Sequence, residues 1–223
     1  MNIAKDYPGS KWWKFDCHAH TPASADYGKG ADVAILRKIT PEEWLLNYMK
    51  AGIDCVAVCD HNSGDWIDLL KVALKNLEQT RPQDFRELYI FPGVELSVTG
   101  NIHVLGIFTN DKTTSDIDRL LGAVRFTGVK GTGDLCTAAS LEDVISAIHA
   151  FGGLAIPVHV DLEKGLFHEF SGASLTQCLK TDKIIAMEVR DHSFSKPQEY
   201  ISQKLNWTEI VGSDSHHPSG KPG

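Results

Sequence analysis

The 223-residue sequence has no apolar run long enough to cross a bilayer. Its start is polar and aromatic rather than basic and then apolar, so neither a membrane span nor a cleavable secretion signal is expected. Cysteine is scarce: the five at positions 17, 55, 59, 136 and 178 are odd in number and mostly inside apolar runs, which argues against an extracellular disulfide framework. Cys55 and Cys59 have no second pair to answer them, so a zinc ribbon is excluded too. Reduced, buried thiols in a cytoplasmic protein are the expectation. Positive charge is also short, with 22 Lys and Arg against 29 Asp and Glu for a net charge of -7, which argues against a basic nucleic-acid grip spread over the surface. There is no internal repeat, and Gly128-Val129-Lys130-Gly131-Thr132-Gly133 lacks the spacing of a phosphate-cradling P-loop; it reads as a mobile loop placed to shape a substrate entrance.

What is present is an ordinary core, 42% hydrophobic, in a chain the right length for one large domain. Apolar runs predict strands at about 13 to 18, 53 to 60, 88 to 94, 102 to 109, 154 to 160, 184 to 190 and 208 to 213. Helical periodicity predicts helices at about 41 to 51, 64 to 79, 114 to 124, 140 to 151, 173 to 180 and 196 to 204. Thr40-Pro41-Glu42-Glu43 and Ser140-Leu141-Glu142-Asp143 carry helix-start chemistry. The alternation favours a parallel α/β barrel, with a hairpin-like departure near 97 to 101, where no helix intervenes.

Metal-ligand residue types gather at the ends of these runs. His18-Ala19-His20 closes the first, and Asp214-Ser215-His216 follows the last; residues two apart on an extended chain point the same way, so each pair can aim two ligands into one cavity. Asp60-His61, Glu95 and His159 follow three other runs, and His103 precedes a fourth. His149 and His168 read as helix packing and loop surface, and His217 points away from His216.

This ordered set resembles the PHP (polymerase and histidinol phosphatase) family over nearly the whole chain. The resemblance implies a distorted (β/α)7 barrel, with two or three divalent ions, manganese, zinc or iron, at the carboxyl ends of its strands. His18, His20, Glu95 and Asp214 would hold the first, Glu95, His103 and His159 the second, and Asp26, His61 and His216 the third. Asp26 departs from the histidine that related sites use at this spacing. Trp12-Trp13-Lys14-Phe15-Asp16-Cys17-His18-Ala19-His20-Thr21-Pro22-Ala23-Ser24 most resembles PHP domains fused to SMC-like or AAA-like ATPases, some serving in antiphage defence. Residues 1 to 223 are therefore expected to be one PHP domain, the amino-terminal part of a longer protein with a carboxyl-terminal ATPase region.

The expected activity is metal-dependent phosphodiester hydrolysis by a metal-bridging hydroxide, on single-stranded DNA, RNA or nucleotides. Glu95, Asp214, His216 and Asp60 would be catalytic, His216 assisting the leaving oxygen, while Asp60, Asp16 and Glu188 orient ligand imidazoles from behind. Arg190, His192 and Lys164 are candidates for substrate phosphate, with solvent-facing charge as the ordinary reading for the last two. A small-molecule phosphomonoesterase of the histidinol-phosphatase type and a non-catalytic metal-stabilised module remain the alternatives.

Overall fold

The computed structural model describes residues 11–28 and 32–218. Along the chain it forms β1 (Phe15–Ala19), α1 (Val33–Leu36), α2 (Pro41–Lys50), β2 (Cys55–Val58), α3 (Ile67–Thr80), β3 (Tyr89–Val98), β4 (Ile102–Ile107), α4 (Thr114–Ala123) and α5 (Leu141–Ala150). There follow β5 (Leu154–Pro157), α6 (Leu166–Glu169), α7 (Gly172–Cys178), β6 (Ala186–Glu188), α8 (Gln198–Ser202) and β7 (Thr208–Ile210). All seven expected strands and six expected helices are present; the short α1 and α6 had no periodicity to announce them. Of the expected single domain, residues 1–10, 29–31 and 219–223 lie outside the described residues.

Local chemistry sets the helix starts. Thr40 accepts from the Glu43 amide while Glu43 returns a bond to the Thr40 amide, and Pro41 supplies a first-turn φ. Thr113 and Asp116 exchange the same pair of bonds at α4, and the hydroxyl and amide of Thr113, with Arg119, hold Asp116 down to about 2. Since the folded carboxyl is the stronger acid, its stabilisation is full above the ordinary aspartate range and disappears as pH falls toward 2. In a thermal-melt series the deficit of Asp116→Asn against wild type should therefore be largest above about pH 4 and close by about pH 2.

The strands form a five-stranded sheet, β1-β2-β3-β4-β5, and a two-stranded one, β6-β7. β1, β2 and β3 run parallel, but β4 is antiparallel to both β3 and β5, so the sheet is mixed rather than parallel. The cause is loop length: a parallel crossover needs a dozen or more residues, and only Thr99, Gly100 and Asn101 separate β3 from β4. Gly100 (φ 99°) and Asn101 (φ 61°) supply the positive φ values of a tight hairpin turn. β5 and β7 stop short of the expected ends because the chain leaves the ladder to turn toward the site, at His159 and before Asp214.

Single hydrogen bonds join the two sheets, Val160 to the Glu188 carbonyl on one side, and Asp214 to His18 and His20 to Ser215 on the other. One apolar cluster takes a residue from every strand: Cys17, Ala57, Phe91, Leu105, Ile156, Ala186 and Ile210. Two larger clusters pack the helices on the outside, one centred on β3, β4, α4 and α5, the other on α2, α3 and β2. The site thus sits on one end of a wall fixed from both sides. Burial lifts the Cys17 thiol to about 11 and Cys59 well above its ordinary value, so both remain neutral, apolar fillers beneath it.

Candidate metal centre

Each candidate ligand reaches the same rim for a topological reason. His18 and His20 leave the carboxyl end of β1, His61 follows β2, and Glu95 lies where β3 passes the rim. His103 starts β4, whose reversal brings its amino end to the carboxyl ends of its neighbours; Ser97 pairs with His103 and Glu95 with Leu105, so all four share one sheet face. His159 and Asp214 occupy left-handed backbone, at φ 32° and 48°, which a non-glycine residue holds only when its surroundings enforce it.

The ligand atoms converge. His18, His20 and Asp214 form one group, His20, His61 and His216 a second, and His61, Glu95 and His103 a third, each with its ligand atoms within 4.8 Å of one another. Glu95 is central: its carboxylate lies 2.6 Å from His61 Nδ1, 2.8 Å from His103 Nδ1, 3.3 Å from His159 Nε2 and 3.6 Å from both His18 and His20 Nε2. Asp26 approaches His61 and His216 at 3.3 and 3.5 Å, and with Asp214 it lies on the more open side, the two carboxylates being 29% and 19% exposed.

In four of the imidazoles, hydrogen-bond partners fix which ring nitrogen carries the proton. His18 Nδ1 donates to Glu188 Oε2 at 2.8 Å, and His216 Nδ1 donates to the Asp214 carbonyl at 2.9 Å. The Ser24 hydroxyl spends its proton on Asp60, so it can only accept from His20 Nδ1. His103 Nε2 donates to the Gly133 carbonyl at 3.1 Å. The remaining nitrogens therefore present lone pairs inward. His18 and His20 Nε2 stand 3.0 Å apart, His216 Nε2 is 3.4 Å from His61, and the His103 lone pair faces a carboxylate. Glu95 Oε2 and His61 Nδ1 are buried without a hydrogen-bond partner despite their proximity. Lone pairs facing lone pairs at these distances repel unless a cation lies among them, so the donor set fits divalent metal.

Without metal, protons take that place. Burial opposes charge on His18 and His61, yet Glu188 and Glu95 outweigh it at His18, raising it well above its usual range, and Glu95 with Asp26 raises His61 to about 10. Burial also opposes ionisation of Glu95, but His103, His61 and His18 hold it well below the carboxylate range. His20 falls to about 3 through burial and the neighbouring His216.

The expected ligands are thus brought together with two adjustments. His61 joins Glu95 and His103, beside which His159 also lies, its Nε2 3.3 Å from Glu95 and its ring 5.4 Å from that of His103, and His20 completes the group of His61 and His216. Of the expected orienting acids, Glu188 touches His18 directly. Asp60 does not touch an imidazole side chain: it accepts from the Thr21 amide and hydroxyl and from Ser24, each at 2.7 Å, and acts on His20 at one remove. Asp16 ties down Ser213, beside Asp214.

Arg190 is corrected. Its guanidinium faces the Gly212 carbonyl and Glu188, behind His18, because Glu188 turns inward one strand-end away. His192 is exposed in the following turn. The 128–133 loop is pinned rather than mobile: Gly131 donates to the His61 carbonyl and accepts from Ala25, and Asn62 holds the Thr132 carbonyl. Gly131, at φ 85°, leaves no room for a side chain, since a Cβ would fall 2.2 Å from the Ala23 carbonyl. Sequence reasoning missed Ser24 and Ser97, whose only signal is a hydroxyl near each ligand pair.

No family model and no curated protein matches this chain. Solved structures do. The lesion-specific endonuclease PfuEndoQ from Pyrococcus furiosus is similar at 18% identity and a TM-score of 0.63, over 92% of this chain and 49% of that one. Endonuclease Q in complex with a 27-mer duplex substrate bearing an abasic lesion at the active site gives 18%, 0.59 and the same coverage. A candidate metal-dependent phosphoesterase from Bifidobacterium adolescentis gives 16% and 0.60, over 96% of this chain and 91% of that one. The chain spans about half the length of the endonuclease, and at these identities the likeness is one of fold.

Proposed function

We propose that this chain is a metal-dependent phosphoesterase that hydrolyses phosphodiester bonds of nucleic acid or nucleotides. The observation that carries the proposal is the ring of inward lone pairs around Glu95. His18, His20, Glu95 and Asp214 would hold one ion, Glu95, His61, His103 and His159 a second, and His20, His61, His216 and Asp26 a third, with some ligands shared. Mixed nitrogen and oxygen donors suit manganese, zinc or iron. Such ions, when bound, lower the pKa of water and withdraw charge from phosphoryl oxygens. The chain's own contribution is to hold the donors: Glu188 and the Ser24–Asp60 pair keep His18 and His20 protonated on Nδ1, and Glu95 spans the centre. His216, buried beside Asp26 and Asp214, would serve the leaving oxygen.

Nucleic acid is favoured by the fold shared with an endonuclease whose complex contains duplex DNA. The seven-stranded PHP barrel is supported by the apolar cluster to which all seven strands contribute. A carboxyl-terminal ATPase rests on the resemblance of residues 12 to 24 alone, as does antiphage defence. A cytoplasmic location is supported by the five unpaired cysteines; among the described residues no helix is long and apolar enough to cross a membrane.

Manganese- or zinc-loaded protein is expected to cleave single-stranded DNA, RNA or an abasic duplex, and chelation to stop it. Turnover confined to a small phosphomonoester would replace this reading with the phosphatase one, and metal binding without turnover would leave a structural module. Asp26 is tested by elemental analysis. Asp26→Ala should lose the third ion, Asp26→His should shift that position toward zinc, and unchanged stoichiometry in both would remove Asp26 from the ligand set.

A further inference from the structure

Outside the ligand set, Lys164 stands out among the described residues as a cation built into the rim. Lys164 follows β5 with its backbone in the left-handed region, at φ 61°, and three bonds hold it there. Its carbonyl accepts from the His103 amide at 2.9 Å, its amide donates to Glu169 at 3.1 Å, and its ammonium meets Asp134 at 2.8 Å. The ammonium also contacts the Gly133 carbonyl, at 3.4 Å, the same oxygen that accepts from His103 Nε2 at 3.1 Å and from the Ser97 hydroxyl at 2.9 Å. A carbonyl with two lone pairs and three donors holds the longest one weakly. Lys164 is therefore one carbonyl away from a candidate ligand, with donor capacity to spare.

Its other partner is equally weak. Asp134 is 90% exposed, and an ion pair with so exposed a member is only loosely held in water. Gly133, next to Asp134, lies against the His61 ring, where an added Cβ would fall 3.0 Å from it, which places the pair beside the His61 side of the centre. Among the described residues, other nearby cations have partners of their own: Arg37 binds three carbonyls of residues 22, 24 and 25, Arg190 faces Glu188, and Lys130 bridges Asp65 and Asp118.

We propose that Lys164 binds a phosphate of the substrate strand and that Asp134 is its internal competitor, exchanged for that phosphate when substrate enters. This rests on the phosphoesterase reading. A compact ammonium with three donors suits a non-bridging phosphate oxygen, and the exchange trades an exposed carboxylate for an anion that the metal centre also attracts. Asp134 then disfavours weakly held anions, whereas a polyanion that reaches both the centre and Lys164 displaces it.

The test is equilibrium binding of a short phosphorothioate-linked oligothymidylate to manganese-loaded protein across a salt series. Lys164→Gln should weaken binding about tenfold and reduce the salt slope by about 0.7. Lys164→Arg should restore most of it, and Asp134→Asn should tighten it about threefold. Lys75→Gln, on the exposed face of α3, removes the same charge and should leave the affinity within about twofold of wild type. Wild-type affinity and slope in Lys164→Gln, or no change in Asp134→Asn, would overturn the assignment, as would a wild type without salt-sensitive binding. Cleavage of ordinary oligothymidylate by wild type is scored separately. Its absence there and on RNA and an abasic duplex, with the binding shifts intact, would remove the phosphoesterase reading and leave a phosphate-binding rim.

Discussion

Glu95→Ala should abolish phosphodiester hydrolysis, by at least about a thousandfold, which corresponds to about 4 kcal/mol of transition-state stabilisation. The carboxylate faces five imidazoles, so its loss removes the negative charge around which those ligands gather. The fold should survive. Stripped of Glu95, His61 loses the acid that does most to hold it charged and can shed its proton, while His18 keeps Glu188 as its partner, so neither remains a buried unpaired charge. Circular dichroism and elemental analysis on the same preparation separate the effects: a native spectrum, reduced metal content and no turnover are expected. Wild-type turnover with Glu95 removed would sink the mechanism.

Metal removal should be visible as stability even where activity is not assayed. An ion present at a thousand times its dissociation constant stabilises the folded state by about 4 kcal/mol, or about 8 to 16 °C in melting temperature for a chain of this size. The shift also has a sign in pH. In the metal-free protein His18 and His61 hold protons at neutral pH, His61 up to about 10, so a bound ion must displace them. Melting curves with chelator and with manganese or zinc should therefore diverge as pH rises from 6 to about 8 and approach one another on the acid side. A metal-independent melting temperature throughout that range would count against the site altogether.

Much of this centre was legible in the chain because its ligands come in short-range patterns. His18 with His20 and Asp214 with His216 obey the two-residue period of extended backbone, and Glu95 and His159 end apolar runs, so strand prediction alone sends them to a common rim. Partnerships across the fold were less legible. His61 joins His159 beside His103, each ring 5.4 Å from that of His103, because a three-residue turn reverses β4, and its effect on rim position emerges only once strands are paired. Arg190 and Lys164 exchanged expectations for a similar reason. Both follow strands and both are basic, but Glu188 turns inward and captures Arg190, while the left-handed backbone at Lys164 swings its side chain to the 133–134 turn. Asp60 was expected to meet a ligand imidazole directly, but it reaches His20 only through the Ser24 hydroxyl, which leaves no mark in spacing.

The left-handed backbone at His159 and Asp214 sets the chain's conformational preferences against its chemistry. Asparagine or glycine would occupy either position with less strain, by up to a few kcal/mol at each. A population of variants selected only for surviving heat in the presence of chelator should therefore lose these two residues early, becoming sturdier as it becomes inert. The same population kept in metal should retain them, because there the bound ion repays the strain. Which residues persist at 159 and 214 would thus report whether a lineage has lived under selection for the site.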